Sequence, residues 1–264
     1  EDRIKGTSVT RVVHATTLFT NALIERKGAI TGLVTTRGFR DILDIARERK
    51  YDIYDIFIEI PPPVVPRNLA VEVDGRLGPS GAEETPLALD QLIAATEGLV
   101  RQGVTSVAIV FLHSYVNPAH ERMAAREIAK HFPNLSISAS CDVAPEIREY
   151  ERASTTAINA FIKPLAQKYL DRLAEQITAA GIAAPLFMML SNGGVTHLAE
   201  AKRIPVQLLE SGPAAGALAA AFFGRSSRAN RVLAFDMGGT TAKLSVVDEG
   251  EPRVAYQFEA AREK

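Results

Sequence analysis

The sequence predicts an α/β fold, and three observations carry that expectation. Helical stretches alternate with short β-branched strands along the chain. Ser106–Leu112 (Ser-Val-Ala-Ile-Val-Phe-Leu) is a continuous apolar strand, the pattern of a strand covered on both faces. From Ser154 to Gly181 the apolar residues Ile158, Phe161, Ile162, Leu165, Tyr169, Leu170, Leu173 and Ile177 fall on one stripe with a period of about 3.6 residues.

Taken in order, Leu18–Lys27 reads as a helix capped by Thr16 or Thr17 and stopped by Gly28. Ile30–Thr35 is a short strand, and Phe39–Arg49 an amphipathic helix entered from Gly38. Tyr51–Pro66 is irregular around three consecutive prolines. Leu69–Val73 is a strand, followed by a Gly- and Pro-rich loop. Leu87–Arg101 is a helix, Pro118–His131 a helix with proline in its first turn, and Leu135–Ala139 a strand. With Ser106–Leu112 these form a right-handed crossover unit. Pro164 removes an N–H from the long helix and predicts a kink or a split near Phe161. Leu186–Leu190 then reads as a strand, Ala214–Phe223 as a helix, and Val232–Phe235 and Lys243–Val247 as two strands around a Gly-Gly turn. A charged stretch at Arg148–Arg152 marks the expected boundary between domains 1–149 and 150–264. At about 150 residues per domain, 264 residues leave room for two.

Composition narrows the class. Hydrophobic residues make up 47% and charged residues 23%, an ordinary globular balance. Lys and Arg number 30 against 31 Asp and Glu, so no basic excess points to nucleic acid or an anionic membrane. One cysteine, Cys141, excludes an internal disulfide and any multi-cysteine metal site, and fits a reducing, cytoplasmic compartment. The run Ala214–Phe223 is too short to span a bilayer. The N-terminus has neither a signal pattern nor an initiator Met, which suits an internal fragment.

The strongest chemical signal is Ala234-Phe235-Asp236-Met237-Gly238-Gly239-Thr240-Thr241-Ala242-Lys243, a Gly-Gly turn between apolar strands. Glycines there let backbone N–H groups approach an anion, Thr240 and Thr241 add hydroxyl donors, and Asp236 suits a hydrated Mg²⁺ held through water. An ordinary Gly-Gly hairpin accounts for the same residues. Upstream, Glu210-Ser211-Gly212-Pro213-Ala214-Ala215-Gly216-Ala217 opens a helix of small residues. This order of helix, strand, Asp-x-Gly-Gly-Thr and strand resembles the second half of actin-like ATPases, including heat-shock-chaperone ATPase domains.

A narrower resemblance covers almost the whole chain. His14–Arg26, Leu33–Asp41, Val64-Val65-Pro66-Arg67, Phe111–Tyr115 with Asn117–Glu121, Arg148–Arg152, Leu190–Gly194, Leu209–Gly216 and Asp236–Thr241 carry it. On these motifs the chain resembles the A-subunit family of ATP-dependent hydantoinases and 5-oxoprolinases, which includes acetone and acetophenone carboxylase subunits. The resemblance implies an incomplete actin-like (ribonuclease H-like) ATPase architecture with a helix–strand crossover N-terminal domain. Family members usually begin with another Asp-x-Gly-Gly-Thr hairpin before the His-x-Thr-Thr stretch and continue well past the second. The chain is therefore expected to be an internal fragment with little turnover of its own. Ala15 replaces a usual Gly, and Lys243 stands where many relatives have Asp.

By resemblance, Asp236 and Thr240 are the expected catalytic residues. Gly238, Gly239, Thr240, Thr241, Gly212, Ser191, Asn192 and Gly193 would hold ATP, and Asp236 Mg²⁺ through water. Ser191-Asn192-Gly193-Gly194 follows a strand end, where α/β ligands bind, though any tight turn has this composition. Thr16, Thr17, Asn21, His113 and Arg152 are candidate substrate contacts. The threonines also suit plain helix caps, and Arg148 to Arg152 a solvated charged face. His113, His120 and Glu121 invite a metal reading, but lack the i, i+4 histidine pairing of the common zinc motif.

The expected chemistry is phosphoryl activation of a cyclic amide of the hydantoin, N-methylhydantoin or 5-oxoproline type before ring opening. A hydantoinase B-type partner and an oligomer are expected with it. The same activation would serve a ketone carboxylase, and a nucleotide switch without small-molecule chemistry is a third reading.

Overall fold

A computed structural model describes residues 6–47, 54, 57, 61–237 and 242–253. Its internal contacts separate two units. One is built from Arg26–Pro164, the other from Glu1–Glu25 with Leu165–Ala260. The boundary falls inside a single helix, at Pro164.

The second unit opens with strand β1 (Val12–His14) and helix α1 (Leu18–Ile24). The chain then enters the first unit. There it forms β2 (Thr31–Thr36), the one-turn helix α2 (Ile42–Ile45), β3 (Ala70–Val73), and a small hairpin of β4 (Arg76–Leu77) and β5 (Glu83–Thr85). Next come α3 (Leu89–Arg101), β6 (Ser106–Val110), α4 (Ala119–His131), β7 (Ser136–Ala139), the short α5 (Ser140–Val143) and the long α6 (Glu149–Ala179). Strands β3-β2-β6-β7 pair in that order, all parallel. In chain order this is a 2-1-3-4 sheet, so its direction of winding reverses between β2 and β6.

Each face of that sheet is covered by a different helix. Gly32 and its ladder partner Val107 face α3, where a Cβ on Gly32 would lie 2.8 Å from Leu99 Cδ1. Ser106, one residue along, faces α6 instead, and its hydroxyl donates to the Ala160 carbonyl at 2.7 Å. All five residues of β6 are buried, as its unbroken apolar pattern required.

The long helix differs from expectation in two ways. It begins at Glu149, so the charged residues up to Arg152 form its first turn and not a preceding loop. It also continues through Pro164 without splitting near Phe161. A proline deprives the carbonyl four residues back of its helical donor. Here that carbonyl, of Ala160, receives the Ser106 hydroxyl, and the Phe161 carbonyl accepts the Ala29 N–H at 2.9 Å. The β6 hydroxyl therefore replaces the missing helical donor at Ala160, and the segment before β2 adds a bond at the next carbonyl. Gly28 permits the approach, because a Cβ there would lie 2.4 Å from the Phe161 ring.

Other boundaries shift too. The helix expected at Phe39–Arg49 is only Ile42–Ile45 within the described residues, ended by Ala46 in a left-handed conformation (φ 52°). Arg67 takes the Asp41 carboxylate beside it, at 2.6 Å.

Past Pro164 the second unit resumes with β8 (Leu186–Met189), β9 (Val195–His197), α7 (Leu198–Arg203) and α8 (Ser211–Ser226). It continues through β10 (Val232–Met237), β11 (Ala242–Asp248) and β12 (Glu251–Pro252). Strand β1 pairs parallel to β8, and β9 antiparallel to it. β10-β11-β12 form an antiparallel sheet packed on α8 by the face bearing Val232, which closes on Gly224. On its other face Leu233, Phe235 and Leu244 are exposed. No helix among the described residues is long and apolar enough to cross a membrane.

Ser106→Ala should lower the unfolding free energy by about 1–3 kcal/mol, because it orphans the buried Ala160 carbonyl. In a Pro164→Ala background, where residue 164 regains an N–H, the same change should cost less. Equal costs in both backgrounds, measured by urea unfolding, would refute the compensation.

Candidate functional site

In the second unit, the expected nucleotide motifs converge on the start of α8. Thr16 N–H donates to Ser211 Oγ at 3.3 Å, and Ser211 Oγ donates back to the Thr16 carbonyl at 3.2 Å. One residue earlier, Glu210 N–H donates to Thr20 Oγ1 at 3.2 Å. A Cβ on Gly212 would lie 3.1 Å from the Thr17 methyl, so the two segments touch. The His-x-Thr-Thr stretch and the Glu-Ser-Gly-Pro stretch are thus one junction, although nearly 200 residues separate them.

This geometry resolves the capping question. Thr16 Oγ1 accepts the Leu18 N–H at 3.1 Å, a local turn at the start of α1, while Thr17 makes no side-chain cap. Asn21 lies half-buried one turn into α1. His14, just before the junction, shares a 2.8 Å hydrogen bond with the Tyr169 hydroxyl, and burial pushes its imidazole pKa down, favouring the neutral ring.

Glu210 adopts a left-handed backbone (φ 60°) immediately before α8. Its Oε2 is ion-paired with Lys243 of β11, while its Oε1 is buried without a partner. Lys243 is the cross-strand neighbour of Asp236, so the two side chains share a sheet face. The Asp236 side chain is exposed at the end of β10. The ladder runs to the pair Met237↔Ala242, and Gly238, Gly239, Thr240 and Thr241, which join them, lie outside the described residues. Ser191, Asn192 and Gly193 form the tight turn between β8 and β9. Asn192 Oδ1 accepts the Gly194 N–H at 2.9 Å, and Gly193 (φ 83°) packs against Leu218 of α8. This turn and the Glu210 junction therefore both rest on α8.

His113 and Arg152 belong to the first unit, at the carboxyl end of its parallel sheet. Glu121 organises that edge and is fully buried. Its Oε1 accepts from Phe111 N–H at 2.8 Å and Ser140 Oγ at 2.6 Å, and its Oε2 from Cys141 N–H at 2.7 Å. Arg152, 1% exposed, has Nη1 3.7 Å from that carboxylate. The same nitrogen donates to the Phe111 carbonyl at 2.7 Å, to Ser140 Oγ at 3.0 Å and to Ser114 Oγ. The pair clamps the turns that follow β6 and β7. Arg152 Nε stays buried without a partner, on a small pocket that Thr35, Phe39, Phe111, Leu112 and Glu149 also line. That pocket lies between β2 and β6, where the winding reverses and where α/β ligands bind. His113, in a left-handed turn (φ 58°) after β6, has a buried Nδ1 without a partner.

Burial pushes the Arg152 guanidinium pKa down, and Glu121 opposes the shift. Burial and the Glu121 carboxylate push the Cys141 thiol up to about 12. His120 pairs with Glu83 at 2.9 Å, so it and Glu121 have separate partners. No group of three or more metal-ligating side chains occurs among the described residues.

Sequence reasoning overlooked Ser211 and Thr20 as the joining side chains and Glu121 as a clamp. One signal was available for Glu121: it falls on the buried stripe of α4 with Ala124 and Ile128.

Two family models match the chain. The one described as hydantoinase/oxoprolinase N-terminal region covers residues 1–132, and the one described as hydantoinase/oxoprolinase covers 152–264. An uncharacterized protein of Methanocaldococcus jannaschii is 38% identical over 265 residues, covering 99% of this chain and 39% of that protein. The caprolactamase subunit alpha of Pseudomonas jessenii is 32% identical over 240 residues, 90% of this chain and 34% of its own. The crystal structure of that ATP-dependent caprolactamase matches with a TM-score of 0.78 at 33% identity, over 89% of this chain and 34% of that one. A nucleotide-free acetone carboxylase matches with a TM-score of 0.81 at 26% identity, over 90% and 35%. The chain thus spans between a third and two fifths of the length of these relatives.

Glu121→Ala should cost about 3–5 kcal/mol of stability, because it leaves the Arg152 charge buried and uncompensated. A loss below about 1 kcal/mol by urea unfolding would contradict the clamp. Cys141 should alkylate with iodoacetamide at pH 8 more than about a hundredfold more slowly than a free thiol, and unfolding should abolish the difference.

Proposed function

This chain belongs to the hydantoinase/oxoprolinase family, and we propose that it forms part of an ATP-dependent hydrolase that activates a cyclic amide before ring opening. One observation carries the reading for these residues. The His-x-Thr-Thr segment, the start of α8 and the β10–β11 hairpin at Lys243 are joined through Ser211, Glu210 and Lys243. The positive end of a helix is thereby joined to the strand that follows the Gly-Gly-Thr-Thr motif, which supports a site for the phosphates of a nucleotide.

In this reading MgATP is a substrate. Transfer of its γ-phosphoryl group to the amide oxygen releases ADP and removes the amide resonance that protects the ring carbon. Water then adds at that carbon and the ring C–N bond breaks, leaving a free amine and an acyl phosphate, and a second water hydrolyses the acyl phosphate to carboxylate and inorganic phosphate. Positioning and charge neutralisation are the protein's main tasks in such a transfer. Gly238, Gly239, Thr240 and Thr241 would cradle the phosphates with backbone and hydroxyl donors, with Gly212 and the Ser191–Gly193 turn alongside α8. Thr240 would serve the transfer itself. Asp236 fits the Mg²⁺ role because its carboxylate is exposed at the strand end, and it would hold the ion through water. The ion would offset phosphate charge. Lys243 cannot ligate a cation, so Asp236 is the carboxylate of the hairpin for that task. Thr16, Thr17 and Asn21 are the proposed substrate contacts of the second unit, and His113 and Arg152 those of the first.

The ends of the two family matches support a division into domains 1–149 and 150–264. The "subunit alpha" in the name of one relative supports a B-type partner subunit in an oligomer. The lone cysteine supports a reducing, cytoplasmic setting. The likeness to acetone carboxylase favours a second reading, in which the same activation prepares a ketone for carboxylation.

The test is ADP release by the full-length protein and any partner subunit, with hydantoin, N-methylhydantoin, 5-oxoproline, caprolactam, acetone and acetophenone. Stimulation by a cyclic amide is the expected outcome. Stimulation by a ketone alone would favour the carboxylase, and tight ATP binding with no stimulation would favour a nucleotide switch. Asp236→Asn should lower stimulated ADP release by about a hundredfold with folding intact, since the side chain is exposed.

A further inference from the structure

We propose that Lys243 is a positioning residue that serves as the fixed cation of the nucleotide site, holding the Glu210 carboxylate beside the turn end of the β10–β11 ladder. The inference rests on the nucleotide reading above.

The geometry sets out the charges. Asp236 and Lys243 are direct cross-strand partners, so their side chains leave the same sheet face side by side. The Lys243 ammonium is ion-paired with Glu210 Oε2, and both side chains are largely withdrawn from water, at 22% and 18% exposure. Glu210 is held from the other side, by its own N–H on Thr20 and by a left-handed backbone that leaves little freedom to re-aim. The lysine thus stands between two carboxylates at the positive end of α8. With it, one negative charge remains uncancelled beside the hairpin. Without it, two remain, and the half-buried Glu210 carboxylate loses its described ion-pair partner.

An arriving polyphosphate meets this local charge. Removing the lysine adds repulsion, whereas removing the Glu210 charge leaves the ammonium free to attract the anion. A purely structural ion pair behaves differently, because either single change breaks the same contact and both should weaken the site together.

The experiment is calorimetric titration of the full-length protein with ATP in EDTA, which reads affinity apart from turnover and from the metal. Lys243→Met should weaken ATP binding about tenfold, Lys243→Arg should restore it to within about threefold, and Glu210→Gln should tighten it. Circular dichroism melts establish that each variant folds. Should Lys243→Met fail to fold, Glu210→Gln decides alone: tighter binding upholds the proposal, and unchanged or weaker binding overturns it. If Lys243→Met binds ATP like the parent protein, or both variants weaken together, the residue is structural only. If the parent protein binds ATP neither in EDTA nor in a parallel titration with Mg²⁺, the nucleotide reading falls and takes this inference with it, a result distinct from either of those.

Discussion

The first unit depends on a carboxylate taken wholly out of water. Burying Glu121 would be prohibitive without compensation, and the chain supplies three donors from two neighbouring turns together with the Arg152 guanidinium. These bonds fix where the chain leaves β6 and β7. The edge of the parallel sheet at which ligands bind in α/β folds is therefore rigid because a charge had to be satisfied there. Burial and the Glu121 carboxylate also push the Cys141 thiol pKa up to about 12, and Arg152 lines a small pocket.

The helix that carries Arg152 shows the same logic applied to the backbone. Pro164 would normally end or bend it. The helix persists because Ser106 supplies a donor to the carbonyl that the proline orphans, while Ala29 binds the next carbonyl and Gly28 leaves room for the Phe161 ring. Local propensity is overridden by groups distant in sequence, at the point where the two units divide.

In the second unit the organising contact is the Glu210–Lys243 pair. It links the β10–β11 hairpin near its turn to the start of α8, while Ser211 and Thr20 link that start to the segment around Thr16. A junction assembled from three distant segments by a few polar contacts depends on each charge in it.

Much of this was legible in the sequence. The unbroken apolar run of β6, the stripe of α6 and the alternation of helices with strands were enough for an α/β class with a covered sheet, since such patterns follow from burial alone. The motifs around Thr16, Gly212 and Asp236 were legible as a group, because side-chain chemistry and spacing are local properties. Short pieces were not: β1 is three residues long and takes its identity from pairing with β8, more than 170 residues away. Nor were the fates of charged and breaking residues. Arg152 read equally well as part of a solvated charged face, Glu121 as a member of a metal group with His113 and His120, and Pro164 as a kink or split. Only the tertiary structure decided that the first two are buried partners, that Lys243 faces Glu210, and that Pro164 is tolerated, because each outcome depends on donors and acceptors brought from elsewhere in the chain.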